Sequence, residues 1–137
     1  MRKVFGRVRE ALRPRPKSRT ELGRIGEEAA ARYLRAKGYR LQERNYRCAL
    51  GELDLIAWQG KVLAFVEVKT RSSVSFARPV ENVTRAKQRK LSRLAKTYLA
   101  HRRLDCLSRF DVVEVVVTPT GKVQSIELIP GAFEDST

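Results

Sequence analysis

Glu52 and Asp54 in GELDLIAW, and Glu67 and Lys69 in FVEVKT, are charged residues spaced two apart within stretches otherwise rich in apolar, β-branched and aromatic side chains. Side chains of an extended strand alternate faces, so residues two apart project to the same side. Gln59 and Gly60 lie between the two stretches and read as a two-residue hairpin turn. Pairing outward from that turn sets Trp58 opposite Lys61, Ile56 opposite Leu63, Asp54 opposite Phe65 and Glu52 opposite Glu67. Glu52, Asp54, Glu67 and Lys69 then share one face, with Leu53, Leu55, Val66 and Val68 on the other. Asp54 and Glu67 become diagonal neighbours about 7 to 8 Å apart at Cα, close enough for both carboxylates to reach one ion at roughly 2.1 Å. The chemistry in view is that of a hard divalent cation held by carboxylates.

Three carboxylates on one sheet face repel one another, and something positive must sit among them. Lys69 supplies one charge; a bound Mg²⁺ or Mn²⁺ would supply the rest. The competing reading is an ordinary amphipathic hairpin whose polar face is wet. Against it, Ile56, Trp58, Leu63 and Phe65 fall on the same face as the acids, which therefore lie beside apolar surface, and a partly dry acid cluster is a site candidate. Softer chemistry is excluded by the residue inventory. Cys48 and Cys106 are far apart and form no CxxC, and His101 is the only histidine, so neither zinc-ligand spacing nor a Ser-His-Asp triad is expected.

The elements that must position these residues can be read from periodicity. Thr20 is the expected N-cap of a helix running to about Lys37 and closed by Gly38, with Leu22, Ile25, Ala29, Tyr33 and Ala36 as its buried stripe. Glu27 lies at one margin of that stripe beside Gly23, Ala30 and Leu34, where it either makes an edge salt bridge or, because its neighbours are small, approaches another element closely. Strands are expected over Arg40 to Arg47, Glu52 to Trp58 and Lys61 to Thr70, followed by a mobile loop over 71–83. A second helix is expected from about Thr84 to Arg103. Its inward stripe is Leu91, Leu94, Ala95, Tyr98 and Leu99, continued at the N-terminal end by Lys87 and Gln88. Arg85, Arg89, Arg93 and Lys96 form an outer ridge, and residues 85–103 hold eight Lys or Arg and no acid. Two last strands, Arg109 to Thr118 and Lys122 to Ile129, meet at a PTG turn; Arg109 and Asp111 read as a structural pair at the start of the first.

Length and charge bound the rest. A chain of 137 residues suits one domain, burying roughly 65 to 70% of the surface its unfolded form exposes. The expected division is a basic arm over 1–20, an α/β domain over 21–134 and a short tail over 135–137. The chain has 29 Lys and Arg against 15 Asp and Glu, a net charge of +14, and half of that excess sits in residues 1–20. Such an excess points to a polyanion, with nucleic acid ahead of an anionic membrane surface. The arm is either a solvated tail or a phosphate contact; a membrane-surface anchor is a third reading. There is no apolar run of the roughly 18 to 20 residues that span a bilayer, nor a secretory signal, and the expected compartment is the cytoplasm.

Taken together, GRIGEEAAARYL, GELDLIAW, FVEVKTR, KQRKL and RFDVV resemble the YraN-like uncharacterised protein family. That family is similar to the Holliday junction resolvases and restriction endonucleases of the PD-(D/E)xK superfamily, and the resemblance covers about residues 21–134. It implies a restriction endonuclease-like three-layer α/β fold of order α-β-β-β-α-β-β, a mixed central sheet flanked by helices. It also implies metal-dependent, structure-selective hydrolysis of phosphodiester bonds in DNA, with Mg²⁺ or Mn²⁺ as cofactor. Asp54 and Glu67, with the backbone carbonyl of Val68, would be metal ligands, Lys69 the partner of the attacking water, and Glu27 an auxiliary acid. Gln88 resembles a helix glutamine of some superfamily branches, Lys87 would steady a phosphate, and Glu52 belongs to the pattern without an assigned role. Arg71, Arg85, Arg89, Arg93 and Lys96 are the expected nucleic-acid contacts. The usual proline before the first acid is replaced by Leu53. DNA is the expected partner, with RNA as the alternative polyanion; a homodimer and repair or recombination proteins are further expectations. The rival function is a non-catalytic nucleic-acid-binding module that keeps the fold.

Overall fold

Strands that are apolar on both faces need cover on both sides, and two helices with one apolar stripe each can supply it. The computed structural model, which describes residues 15–74 and 84–133, has this arrangement. Helix α1 (Arg19–Ala36) precedes strands β1 (Arg40–Cys48), β2 (Gly51–Gln59) and β3 (Val62–Ser72), which are followed by helix α2 (Arg85–His101) and strands β4 (Leu107–Val117) and β5 (Val123–Phe133). The sheet order is β1-β2-β3-β4-β5, with β3 and β4 parallel and the other neighbours antiparallel. A parallel pair needs a crossover, and α2 is that crossover. This is the α-β-β-β-α-β-β order and mixed sheet that the sequence leads one to expect. Residues 1–14 of the expected arm, 75–83 of the expected loop and the tail at 135–137 lie outside the described residues.

One core cluster joins α1 to the sheet through Ala30, Ala31, Leu34, Leu55, Val66, Val113 and Val115. The other lies under α2 and contains Ile56, Leu63, Phe65, Leu91, Leu94, Tyr98 and Phe110. The inward stripe expected for α2 is therefore the buried one.

For α1 the expected cap and stripe both shift. Ser18, not Thr20, is the N-cap: its hydroxyl oxygen accepts the Glu21 N–H at 3.1 Å and its hydroxyl donates to the Glu21 carboxylate at 3.2 Å. The residues have the Ser-x-x-Glu spacing of a capping box, and both bonds run through the Ser18 hydroxyl, so the cap falls two residues before Thr20. At the other end the Tyr39 N–H bonds the Leu34 carbonyl and the Gly38 N–H bonds the Arg35 carbonyl, both at 2.9 Å, the paired bonds of a Schellman ending with Gly38 at φ +92°. The buried face is centred on Gly26, Ala30 and Leu34, whereas Tyr33 is half-buried and Ala36 exposed. Small residues explain the rotation. A Cβ placed on Gly26 would stand 1.8 Å from Thr70 Oγ1 and 2.8 Å from Thr70 Cβ, so the helix rests its backbone against β3 at this point.

Gly26→Ala is therefore expected to push α1 off β3, costing roughly 1 to 3 kcal/mol by overpacking. Denaturant unfolding of the variant, alone and combined with Thr70→Gly, measures this; stability unchanged in the single variant would contradict the contact.

Asp111 closes the fold near the start of β4. It is fully buried and accepts hydrogen bonds from Arg109 Nε at 3.0 Å, the Gly131 N–H at 2.8 Å and the Tyr39 hydroxyl at 3.3 Å. Arg109 also donates to Tyr39 at 2.7 Å and to Gln59. The pair thus ties β4 to β5, to the end of β2 and to Tyr39 in the turn between α1 and β1, the structural role expected of it. β5 runs to Phe133, past Pro130, because it is a sheet edge and a missing N–H costs nothing on the open side.

Candidate functional site

The β2–β3 hairpin closes through Gly60 and Lys61, with Gln59 opposite Val62, Trp58 opposite Leu63 and Ile56 opposite Phe65. This corrects the expected register by two residues. Gly60, at φ +59°, fills the first turn position, where a hairpin also accepts glycine, instead of the second. An even shift preserves the faces but changes the partners: continued past Leu55 and Val66, the register places Asp54 directly opposite Glu67, not diagonal to it.

Pairing between β2 and β3 stops at Leu55 and Val66. Beyond that point the Val68 N–H donates to Asp54 Oδ2 at 2.8 Å, so a side chain occupies the ladder position that backbone would otherwise fill. Leu53 packs under α2 with Ile56, while Leu55 packs under α1, which corrects the expected grouping of Leu53 with Leu55. A strand released from its neighbour is free to twist.

Glu67 sits across this opening with its side chain 14% exposed, and its Oε1 accepts from both Lys87 at 2.7 Å and Lys69 at 3.3 Å. Lys69 follows Glu67 by two residues on β3. Lys87 is set by the first turn of α2, where Thr84 Oγ1 accepts the Lys87 N–H at 3.2 Å. Gln88 is half-buried on the same turn. Arg85, Arg89, Arg93 and Lys96 are all exposed, which leaves them on the outer ridge as expected.

The electrostatics follow from this crowding. Burial, and then the negative charge of Glu67, push the Asp54 carboxyl up to about 7. Burial works in the same sense on Glu67, but the hydrogen bond and charge of Lys87, and then Lys69, outweigh it and hold Glu67 below its ordinary value. One proton is best regarded as belonging to the pair and lodging on Asp54. Lys69 is lowered, by burial and by the neighbouring Lys87 ammonium. Glu27 is raised, by burial and then by Glu52, with Arg44 and Arg47 opposing. Glu27 thus acts on Asp54 through space, and no hydrogen bond joins them among the described residues. Glu52 accepts from Arg47 Nε at 3.2 Å, on the rim.

Among the described residues no three carboxylate, histidine or cysteine side chains form a metal-binding group. The side-chain donors that meet here are the carboxylates of Asp54 and Glu67. That set fits Mg²⁺, which is commonly bound through one or two carboxylates and keeps several waters.

Three cations went unnoticed in the motifs. Arg47 stands opposite Glu52, and Arg44 opposite Leu55, in the β1–β2 register. Lys90 crosses Gly51, its Cε 3.0 Å and its Nζ 3.4 Å from where a Cβ would be. The β1–β2 pairing could have revealed the two arginines; nothing in helical periodicity marks Lys90.

Asp54 makes stability depend on pH. In the folded chain it keeps its proton to about pH 7, whereas unfolded it ionises near pH 4. The folded state binds more protons between those values, so stability falls as pH rises through the window, by roughly 2 to 4 kcal/mol in total. Asp54→Asn keeps an acceptor for Val68 and is expected to abolish most of that loss. Urea unfolding in EDTA at about pH 5 and about pH 8 tests it; an unaltered pH dependence in the variant would count against the crowded pair.

The fold and site define a three-layer α/β protein with a pair of carboxylates, one of them bound by two lysines, where its central hairpin opens. Residues 26–115 match the model of the uncharacterised protein family UPF0102, and the chain belongs to that family. The UPF0102 protein of Moorella thermoacetica is 50% identical over 117 residues, covering 85% of this chain and 98% of the relative. That of Caldicellulosiruptor saccharolyticus is 45% identical over 117 residues, 85% and 99% of the two chains. That of Symbiobacterium thermophilum is 51% identical over 115 residues, 82% and 95%. This is the family whose motifs the sequence resembles. No helix among the described residues is long and apolar enough to cross a membrane.

Proposed function

We propose that the protein is a metal-dependent endonuclease that hydrolyses phosphodiester bonds in DNA, selecting its substrate by structure and not by base sequence. The observation that carries this reading is the Asp54 carboxylate, bonded to the Val68 N–H where β2 leaves β3, facing a Glu67 flanked by Lys69. Asp54, Glu67 and the Val68 carbonyl would hold Mg²⁺ or Mn²⁺, which supplies Lewis acidity to the attacking water and to the phosphate. Lys69 orients the water, and its lowered proton affinity suits it to exchange a proton there. Glu27 is an auxiliary acid acting from α1. Lys87 and Gln88 steady the scissile phosphate or its neighbour, while Arg71 and the ridge of Arg85, Arg89, Arg93 and Lys96 hold the strand. Backbone contacts of this type position a nucleic acid without reading it.

The second reading is a binding module of the same fold that does not cleave. The observation in its favour is the 2.7 Å contact of Lys87 with Glu67, in which an ammonium already balances the acid. Two measurements separate them. Mg²⁺ or Mn²⁺ is expected to raise the melting temperature, and Asp54→Asn to remove that rise. Labelled branched, nicked, single-stranded and linear DNA and RNA, incubated with each ion, are expected to show cleavage of at least one DNA form. Tight binding with neither a metal-induced shift nor cleavage establishes the second reading.

A further inference from the structure

β3 carries a third charged side chain on the face that bears Glu67 and Lys69. Arg71 follows Lys69 by two residues, so by alternation it projects to the same side, about 6.6 Å farther along. Among the described residues its guanidinium is held by Glu114: Nε donates to Glu114 Oε1 at 3.1 Å, and Nη2 forms an ion pair with the same oxygen at 3.1 Å. Glu114 lies beside Lys69 in the parallel β3–β4 register, and its side chain is 8% exposed against 26% for Arg71.

Stability gives little reason for an acid in this position. Glu114 loses most of its hydration and stands directly opposite Glu127 on β5, and like charges so placed weaken a sheet. A well-packed apolar pair in place of a buried ion pair is often as stable or more so. What Glu114 supplies is direction. A guanidinium has five N–H donors in a rigid planar fork; with one edge fixed by a buried carboxylate, the remaining donors are presented outward at a set angle.

We propose that Glu114 is a positioning residue that aims Arg71 at the phosphate adjoining the scissile one along a bound nucleic-acid strand. β3 then presents, in one line, the metal-binding acid, the water-orienting lysine and a phosphate clamp. This rests on the nucleic-acid binding proposed above.

The sign of one effect separates this role from a merely structural one. Removing an acid near a polyanion ordinarily tightens binding by relieving repulsion, whereas removing an aiming residue loosens it. The experiment is fluorescence anisotropy of a fluorescein-labelled DNA duplex with the full chain, in EDTA so that cleavage does not intervene, over a range of salt. Arg71→Ala is expected to weaken binding roughly 10-fold and to reduce the slope of log K against log salt by about 0.9, one phosphate contact. Glu114→Ala is expected to weaken binding roughly 3- to 10-fold although it raises the net positive charge, and to add nothing in the Arg71→Ala background. Glu114→Gln, which keeps an acceptor oxygen, is expected to retain most of the affinity. Glu114→Met, which fills the space, replaces Glu114→Ala if thermal melts show the latter unfolded. Binding by the Ala or Met variant as tight as wild type or tighter, or an unchanged slope in Arg71→Ala, overturns the proposal while leaving the nuclease reading standing. Failure of the wild-type chain to bind labelled duplex, branched, nicked or single-stranded DNA in the same assay overturns both.

Discussion

Glu67→Ala and Lys69→Ala are each expected to reduce Mg²⁺-dependent strand cleavage by roughly 10³-fold or more while leaving DNA affinity within a few-fold of wild type. The separation follows from geometry. Glu67 is largely buried and faces Asp54, Lys69 and Lys87, so it takes little part in the outer basic surface on which non-specific affinity depends. Lys69 is one cation in a chain carrying a net +14, and its loss changes the total field little. Its local loss is large, because no other described side chain joins Glu67 from the adjacent position of the same strand. Glu67→Ala also leaves two half-buried ammonium groups without their shared acceptor. Glu67→Gln, of nearly the same shape, is the control that divides loss of chemistry from loss of structure, and circular dichroism with thermal melting checks the fold of each. Equal cleavage by wild type and both alanine variants would end the nuclease reading.

Asp111→Ala is expected to destabilise the protein by roughly 3 to 5 kcal/mol, the cost of breaking a buried ion pair from one side. That is a large part of the 5 to 15 kcal/mol by which a domain of this kind is typically stable. The carboxylate takes bonds from Arg109, Tyr39 and Gly131, and each is left without its acceptor when it goes. Asp111→Asn keeps an acceptor oxygen but not the charge, and a smaller loss of roughly 1 to 3 kcal/mol is expected. Urea unfolding midpoints at constant m-value measure both; a change under about 1 kcal/mol in Asp111→Ala would show the hub to be dispensable.

Element type and order were legible in the sequence because each element has a strong period. The two helices carry apolar stripes, the first of them ended by a glycine, and the strands are runs of β-branched and aromatic residues. The nearness of Asp54, Glu67 and Lys69 was legible too, since a shift of two residues leaves Asp54 and Glu67 neighbours, although alternation breaks at Leu53, which joins Ile56 under α2. The register was not. Gly60 can serve a tight turn at either position, and because the two registers differ by an even shift, alternation does not distinguish them. The opening of β2 from β3 was equally hidden, because it arises from a carboxylate displacing backbone in one ladder and no residue type announces that. Gly26 misled in a different way. Weighing apolar character alone put the stripe of α1 over Ala29 and Tyr33, whereas what selects the face is the absence of a side chain where helix meets Thr70. Lys87 was placed inward by periodicity, but its contact with Glu67 depends on how far α2 sits along the sheet, which no periodicity contains.

That last point bears on how the crossover finds its seat. An apolar stripe fixes the rotation of a helix about its axis but constrains its axial position only weakly, since Leu91, Ala95 and Tyr98 present oily surface turn after turn. A slide of one turn, about 5.4 Å, would carry Leu91 toward Glu67 in place of an ammonium, leaving a desolvated anion against hydrocarbon. A polar contact at one end of an otherwise greasy seam thereby breaks a near-degeneracy among translational settings, and the cation that faces the acids also sets the longitudinal alignment of the helix that bears it.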